Sequence, residues 1–188
     1  MRVVVGLVDS DMNIPDGVER PYEEGNLHMS VKDKFTPEEW KSLLKAPMLA
    51  AYAVAGAAPS KQEDFVREMG AVAEGIFEGE GRAAKGSVLE AVIADIYANA
   101  DDEQRGQTEK LSLDEVKGQA LDTCRAVNAL LQGKVSAEES YEYKRWILVV
   151  AEKVAAAAKE GGLFGFGGEQ ISGSEIATIN EIGEAIGI

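Results

Sequence analysis

Residues able to hold a metal or attack a substrate are scarce in this 188-residue chain, which has one cysteine, Cys124, and one histidine, His28. A single cysteine excludes a disulfide framework. The pair excludes every zinc site built from several Cys and His ligands. Basic residues are also few: 19 Lys and Arg stand against 33 Asp and Glu, for a formal net charge of −14. So acidic a surface repels phosphate backbones, and no nucleic-acid partner is expected. No nearly apolar run reaches the length of a membrane span. The N-terminal stretch lacks the apolar core of a secretory signal, so the chain reads as cytoplasmic. What is present is a hydrophobic fraction of 45%. That is too high for a disordered chain, and the length suits one domain with a sizeable core.

Two further absences divide the chain. No alanine precedes Ala46, and 26 follow from there on. All five prolines (Pro15, Pro21, Pro37, Pro47, Pro59) fall in the first 59 residues. Proline costs about 3 kcal/mol inside a helix and alanine is the best helix former, so the second region is built for helices. Residues 1–35 form an arm or linker of different character. Arg2–Val8 has the β-branched content of a short strand, and residues 9–34 are polar and turn-rich around Pro15-Asp-Gly17 and Glu23-Glu-Gly-Asn26. Met29-Ser-Val-Lys-Asp-Lys-Phe-Thr-Pro-Glu-Glu-Trp40 reads like a natural protein start followed by a helix. Residues 1–28 are then either an extension upstream of that start or an arm that packs on the helical body or a neighbouring subunit.

From Thr36 onward the punctuation is regular. Ser/Thr-x-x-Glu capping boxes stand at Thr36/Glu39, Ser60/Glu63, Ser87/Glu90, Ser112/Glu115, Ser136/Glu139 and Ser172/Glu175. They predict helices over about 37–58, 61–78, 88–99, 113–132, 137–160 and 173–186, the first of them broken or kinked at Pro47. Apolar stripes follow: Phe65, Met69, Val72, Ile76; Leu113, Val116, Ala120, Cys124, Val127, Leu131; and Tyr143, Ile147, Val150, Val154. Ala50–Ala58 is apolar nearly all round, which sets it in the middle of the fold. The expected architecture is an all-α bundle of six or seven helices over residues 36–188.

Candidate chemistry thins out on inspection. Cys124 sits on an inward stripe and His28 in the linker, so they form no nucleophile–base pair. No Gly-x-Ser-x-Gly elbow occurs, and the lone histidine has no Glu-x-x-His partner for a di-iron bundle site. Asp9–Gly17 offers oxygens at alternate positions, but Ile14 and Arg20 stand where a calcium loop needs Gly and Glu. Gly161-Gly-Leu-Phe-Gly-Phe-Gly-Gly168 has Gln170 where a dinucleotide fingerprint needs its third glycine. No catalytic, cofactor-binding or metal-binding residue is therefore assigned, and no cofactor is expected. Phe164 and Phe166 read either as rings tucked under the bundle or as a glycine-flanked docking pair, and they are the partner-binding candidates.

At the C-terminus, Gly167-Gly-Glu-Gln-Ile-Ser-Gly-Ser-Glu-Ile-Ala-Thr-Ile-Asn-Glu-Ile-Gly-Glu-Ala-Ile-Gly-Ile188 resembles the closing turn and helix of tellurite-resistance-B-like helical proteins. The segments 40–58 and 146–168 look like an uncharacterised bacterial helical family. The resemblance implies an all-helical fold, a stress-associated role and an acidic metal site. Members of that family commonly carry Asp-Gly where this chain has Gly168-Glu169, and no metal-binding residue transfers onto a matched position. The functional expectation is a non-enzymatic helical interaction protein, binding an unknown protein partner or itself. The alternative is an acidic, divalent-cation-binding stress-response protein.

Overall fold

The computed structural model describes residues 30–58, 62–103, 112–157 and 171–188. Among them are a short 3₁₀ turn, Val31–Lys34, and six helices: α1 Pro37–Ala55, α2 Gln62–Arg82, α3 Val88–Glu103, α4 Leu113–Leu131, α5 Ala137–Ala157 and α6 Gly173–Ile186. No strand occurs among the described residues. The chain is an all-α bundle.

Capping sets the starts. Thr36, Ser112 and Ser172 each accept from the backbone three residues on, while Glu39, Glu115 and Glu175 reach back to the cap amide. Ser136 and Glu139 do the same at 3.1 and 3.2 Å. Ser87 caps Glu90 at 3.2 Å, but the carboxylate of Glu90 accepts from the Gly86 amide instead. The reason is local: the Ser87 amide is already given to the Ala84 carbonyl in the preceding turn. Ser60 lies outside the described residues. A further box, Ser30/Asp33, opens the 3₁₀ turn.

Packing follows the stripes. Val72 and Ile76 of α2, Ala120, Cys124, Val127 and Leu131 of α4, and Tyr143, Ile147, Val150 and Val154 of α5 are all buried. Leu113 departs from its stripe and is exposed, although its side chain lies beside Gly56 just past the end of α1. α1 touches α2, α3, α4, α5 and α6, which makes it the centre of the bundle. Its alanines 46, 50, 51 and 53 are buried and allow close approach. Tyr52 alone breaks the apolar circumference toward solvent.

Of the break or kink expected at Pro47, the break does not occur. α1 runs through it from Pro37 to Ala55, and Pro47 is buried. A proline has no N–H for the carbonyl four residues earlier, here that of Leu43. That carbonyl accepts instead from the Tyr143 hydroxyl of α5 at 2.5 Å. Both residues are fully covered, so the bond replaces a backbone partner that the helix itself lacks.

Val31 and Phe35, placed in the arm by composition, are buried in the core. A polar clamp holds this entry. Asp95 of α3 accepts from Lys32 and, at 2.7 Å, from the Trp40 indole. Burial alone would raise the Asp95 carboxyl, but these two hydrogen bonds outweigh it and leave its pKa below the ordinary 3.8. A depressed folded-state pKa stabilises the fold above the ordinary aspartate range, and the gain is lost as pH falls through the folded value. Urea melts from about pH 6 to about pH 2 should therefore show an acid-side loss of stability that is shallower in Asp95→Asn.

Cys124 is fully covered, and burial pushes its thiol up to about 12. The native protein should react slowly with a thiol reagent and label stoichiometrically only after unfolding. Rapid native labelling would put that face of α4 in solvent. Deleting residues 1–28 leaves the Ser30 cap, Val31 and Phe35 in place, and the truncated chain is expected to keep a cooperative melt.

Candidate functional site

α2 and α5 approach closely because α2 carries glycine where they meet. A side-chain carbon at Gly75 would lie 3.0 Å from Val150 Cγ2, and one at Gly79 would lie 2.3 Å from Trp146 Nε1. The space at Gly79 is thus filled by the Trp146 indole, whose N–H donates to the Gly75 carbonyl at 3.0 Å. Tyr143, three residues earlier on α5, stacks obliquely on Trp146 with ring centres 5.7 Å apart. Glycine here is a packing requirement.

Beside this contact lies a groove of about 220 Å³ between α2, the start of α3, and α5. Leu89, Trp146 and Val149 form its apolar floor, with Gly79 between them. Tyr141 stands exposed on the rim. Four charges frame the opening: Glu78, Arg82, Glu142 and Arg145. Two of them are tied down. Arg145 holds Glu152 through two bonds of 3.0 and 3.2 Å, which raises its pKa. Glu78 lies 3.5 Å from Lys153, whose shorter bond, 3.0 Å, goes to Glu74. Arg82 makes no ion pair among the described residues, and its guanidinium is exposed.

The groove can hold one large apolar side chain. Pockets that enclose a whole drug-sized ligand run to roughly 300–1,000 Å³, so a bulkier molecule has no room here. Its lining carries no nucleophile with an adjacent base. Among the described residues no three of His, Cys, Asp and Glu converge as metal ligands would. No helix of the described residues is long and apolar enough to cross a membrane.

The residues singled out in sequence fall elsewhere. Phe164 and Phe166 lie outside the described residues, as do His28 and the Asp9–Gly17 segment. Cys124 is in the core, away from any groove. Sequence inspection missed Gly79, Leu89, Trp146 and Val149. A signal existed in the pair Gly75 and Gly79, four apart on one helix face, which marks a place where another element comes close.

No protein-family model, curated protein or solved structure matches this chain. The fold therefore rests on its own packing, and the site on its own geometry.

The packing makes a paired prediction. Gly79→Ala drives a methyl into the indole and is expected to cost about 1–3 kcal/mol in a urea melt and to shift the tryptophan emission. Gly70→Ala on the same helix meets nothing within 4 Å. It should be neutral or stabilise by about 0.5–1 kcal/mol. Equal effects would mean that α2 and α5 do not meet as described.

Proposed function

We propose that this chain is a non-enzymatic helical interaction protein whose α2–α3–α5 groove receives one large apolar side chain of a protein partner. The observation that supports this reading is the groove itself: an apolar floor of Leu89, Trp146 and Val149 inside a ring of charges. Interfaces draw most of their energy from a few such anchors seated in desolvated pockets, with a polar rim excluding water around them. Arg82 and Glu142 leave one charge of each sign at the mouth, which favours an anchor flanked by polar residues. Phe164 and Phe166 belong to the same proposal as a second aromatic contact offered to the partner. Self-association would use the same features, one copy supplying the anchor. The cation-binding alternative has no ligand set among the described residues. The resemblance of the closing turn alone stands behind a stress-associated role.

Peptides selected from a random display library against the purified protein test the reading. With 5-fluorotryptophan incorporated, Trp40 and Trp146 give separate fluorine resonances. Selected peptides carrying a Trp, Phe or Leu anchor should shift the Trp146 signal and leave Trp40 in place. Val149→Lys lays its methylene stem across the floor and should weaken that binding about tenfold or more with little change in the melt. Selected peptides that bind without moving Trp146, and equally well to the Val149→Lys protein, would contradict the proposal.

A further inference from the structure

α2 presents a second apolar face, turned away from the bundle. Val66, Gly70, Ala73, Phe77 and Gly81 recur at steps of four, three, four and four, and all are exposed. They stand opposite Val72, Ile76 and Gly79, which face the core. Val66 is 69% exposed and Phe77 68%, the most of any large apolar side chain among the described residues. Glycines separate them. Gly75 and Gly79 are required by the approach of α5, but Gly70 and Gly81 meet nothing within 4 Å. Glycine inside a helix is destabilising relative to alanine, and packing within one chain gives no reason for these two. Gly70 also opens on a hollow of about 310 Å³ between α2 and the end of α5, walled by Ala71, Ala156 and Ala157. Arg67 and Lys153 border it, and cations suit the electron-rich face of an aromatic ring. No aromatic residue of the described chain lines it.

The order of large residues and glycines is self-complementary. Two copies of α2 laid antiparallel, with a two-fold axis beside Ala73 and Glu74, bring together residues equally far from that axis. Phe77 of each copy then lies over Gly70 of the other, at the mouth of the hollow, and Val66 lies over Gly81. Charge supports that direction. α2 opens on Gln62-Glu63-Asp64 and closes on Arg82, with Lys85 three residues on. Antiparallel pairing sets the acidic opening turn of one copy beside the cationic end of the other, whereas parallel pairing sets like charges together. Arg82 and Lys85 are exposed and make no ion pair among the described residues, so both are available. Glu74, beside the axis, accepts from Lys153 of its own copy at 3.0 Å, so the two glutamates do not meet uncompensated.

We propose that the outer face of α2 is the interface of an antiparallel two-fold dimer, in which Phe77 of each copy enters the hollow beside Gly70 of the other. The contact is small. One helix face, about 30 Å long and about 10 Å wide, falls below the roughly 800 Å² per partner of a standard interface. Each copy also carries a net charge of −14, which opposes association. The dimer is therefore weak, with a dissociation constant of about 0.1 mM, and the chain is a monomer at the concentrations of a melt. An interface of this kind closes on itself, so association stops at two copies. It is separate from the α2–α3–α5 groove and does not rest on that groove's having a partner, although Arg82 borders both.

Sedimentation equilibrium of the full chain from about 10 μM to about 1 mM tests this directly. The expected result is a monomer–dimer equilibrium with no larger species. Phe77→Glu removes the ring and Gly70→Leu closes the hollow to it, so each should weaken association about tenfold or more. Both positions are open in the single chain, so neither variant should change the urea melt much. Orientation is read by nuclear magnetic resonance. A nitroxide on Ala84→Cys, mixed with isotope-labelled chain that lacks it, should broaden the amides of residues 62–66 in the labelled copy. The proposal is overturned if the chain stays monomeric to about 1 mM, or if either variant associates as tightly as the parent. It is equally overturned if the nitroxide broadens the Arg82 and Lys85 end of the labelled copy instead.

Discussion

A carbonyl without a backbone partner organises this bundle. Pro47 sits inside the central helix and cannot donate to Leu43 four residues back. Left alone, that buried carbonyl would cost about 1–3 kcal/mol. The Tyr143 hydroxyl answers it from α5 at 2.5 Å. The bond is directional, so it fixes α5 along and around its axis against α1, where alanine contacts alone would permit sliding. With Tyr143 placed, Trp146 follows on the same helix and meets the two glycines of α2. The groove beside Trp146 is thus a consequence of how α1 is completed. Burial of Tyr143 also holds its hydroxyl well above the ordinary 10, so it stays protonated as a donor.

The helix starts were legible because capping is short-range chemistry. Thr36, Ser112, Ser136 and Ser172 each need only a glutamate three residues on, and that is written in sequence. The inward stripes of α4 and α5 were legible for the same reason, since a repeat of three and four places them on one face. Pro47 was not. Local rules give a break, and only a residue 96 positions later, Tyr143, supplies the missing donor. Ser87 shows a smaller version of this failure: its amide was taken by the turn before it, and Glu90 had to reach Gly86.

The groove was illegible for a further reason. It is assembled from residues of separate helices that become neighbours only on packing, Leu89 with Val149. The aromatic pair Phe164 and Phe166 was conspicuous in sequence through its flanking glycines, and it lies outside the described residues.

The central claim is that Tyr143 stands in for the N–H that Pro47 lacks, and a double-mutant cycle tests it. Tyr143→Phe removes the donor and keeps the ring. Pro47→Ala returns the N–H to the Leu43 carbonyl. Urea melts of the parent, both single variants and the double variant give the coupling between the two sites. In the parent, Tyr143→Phe should cost about 1–3 kcal/mol, because it strands a buried carbonyl. In the Pro47→Ala protein the same change should cost less by at least about 0.5 kcal/mol, because the carbonyl then has its backbone partner. An equal cost in both proteins would mean that the hydroxyl does not replace the missing amide.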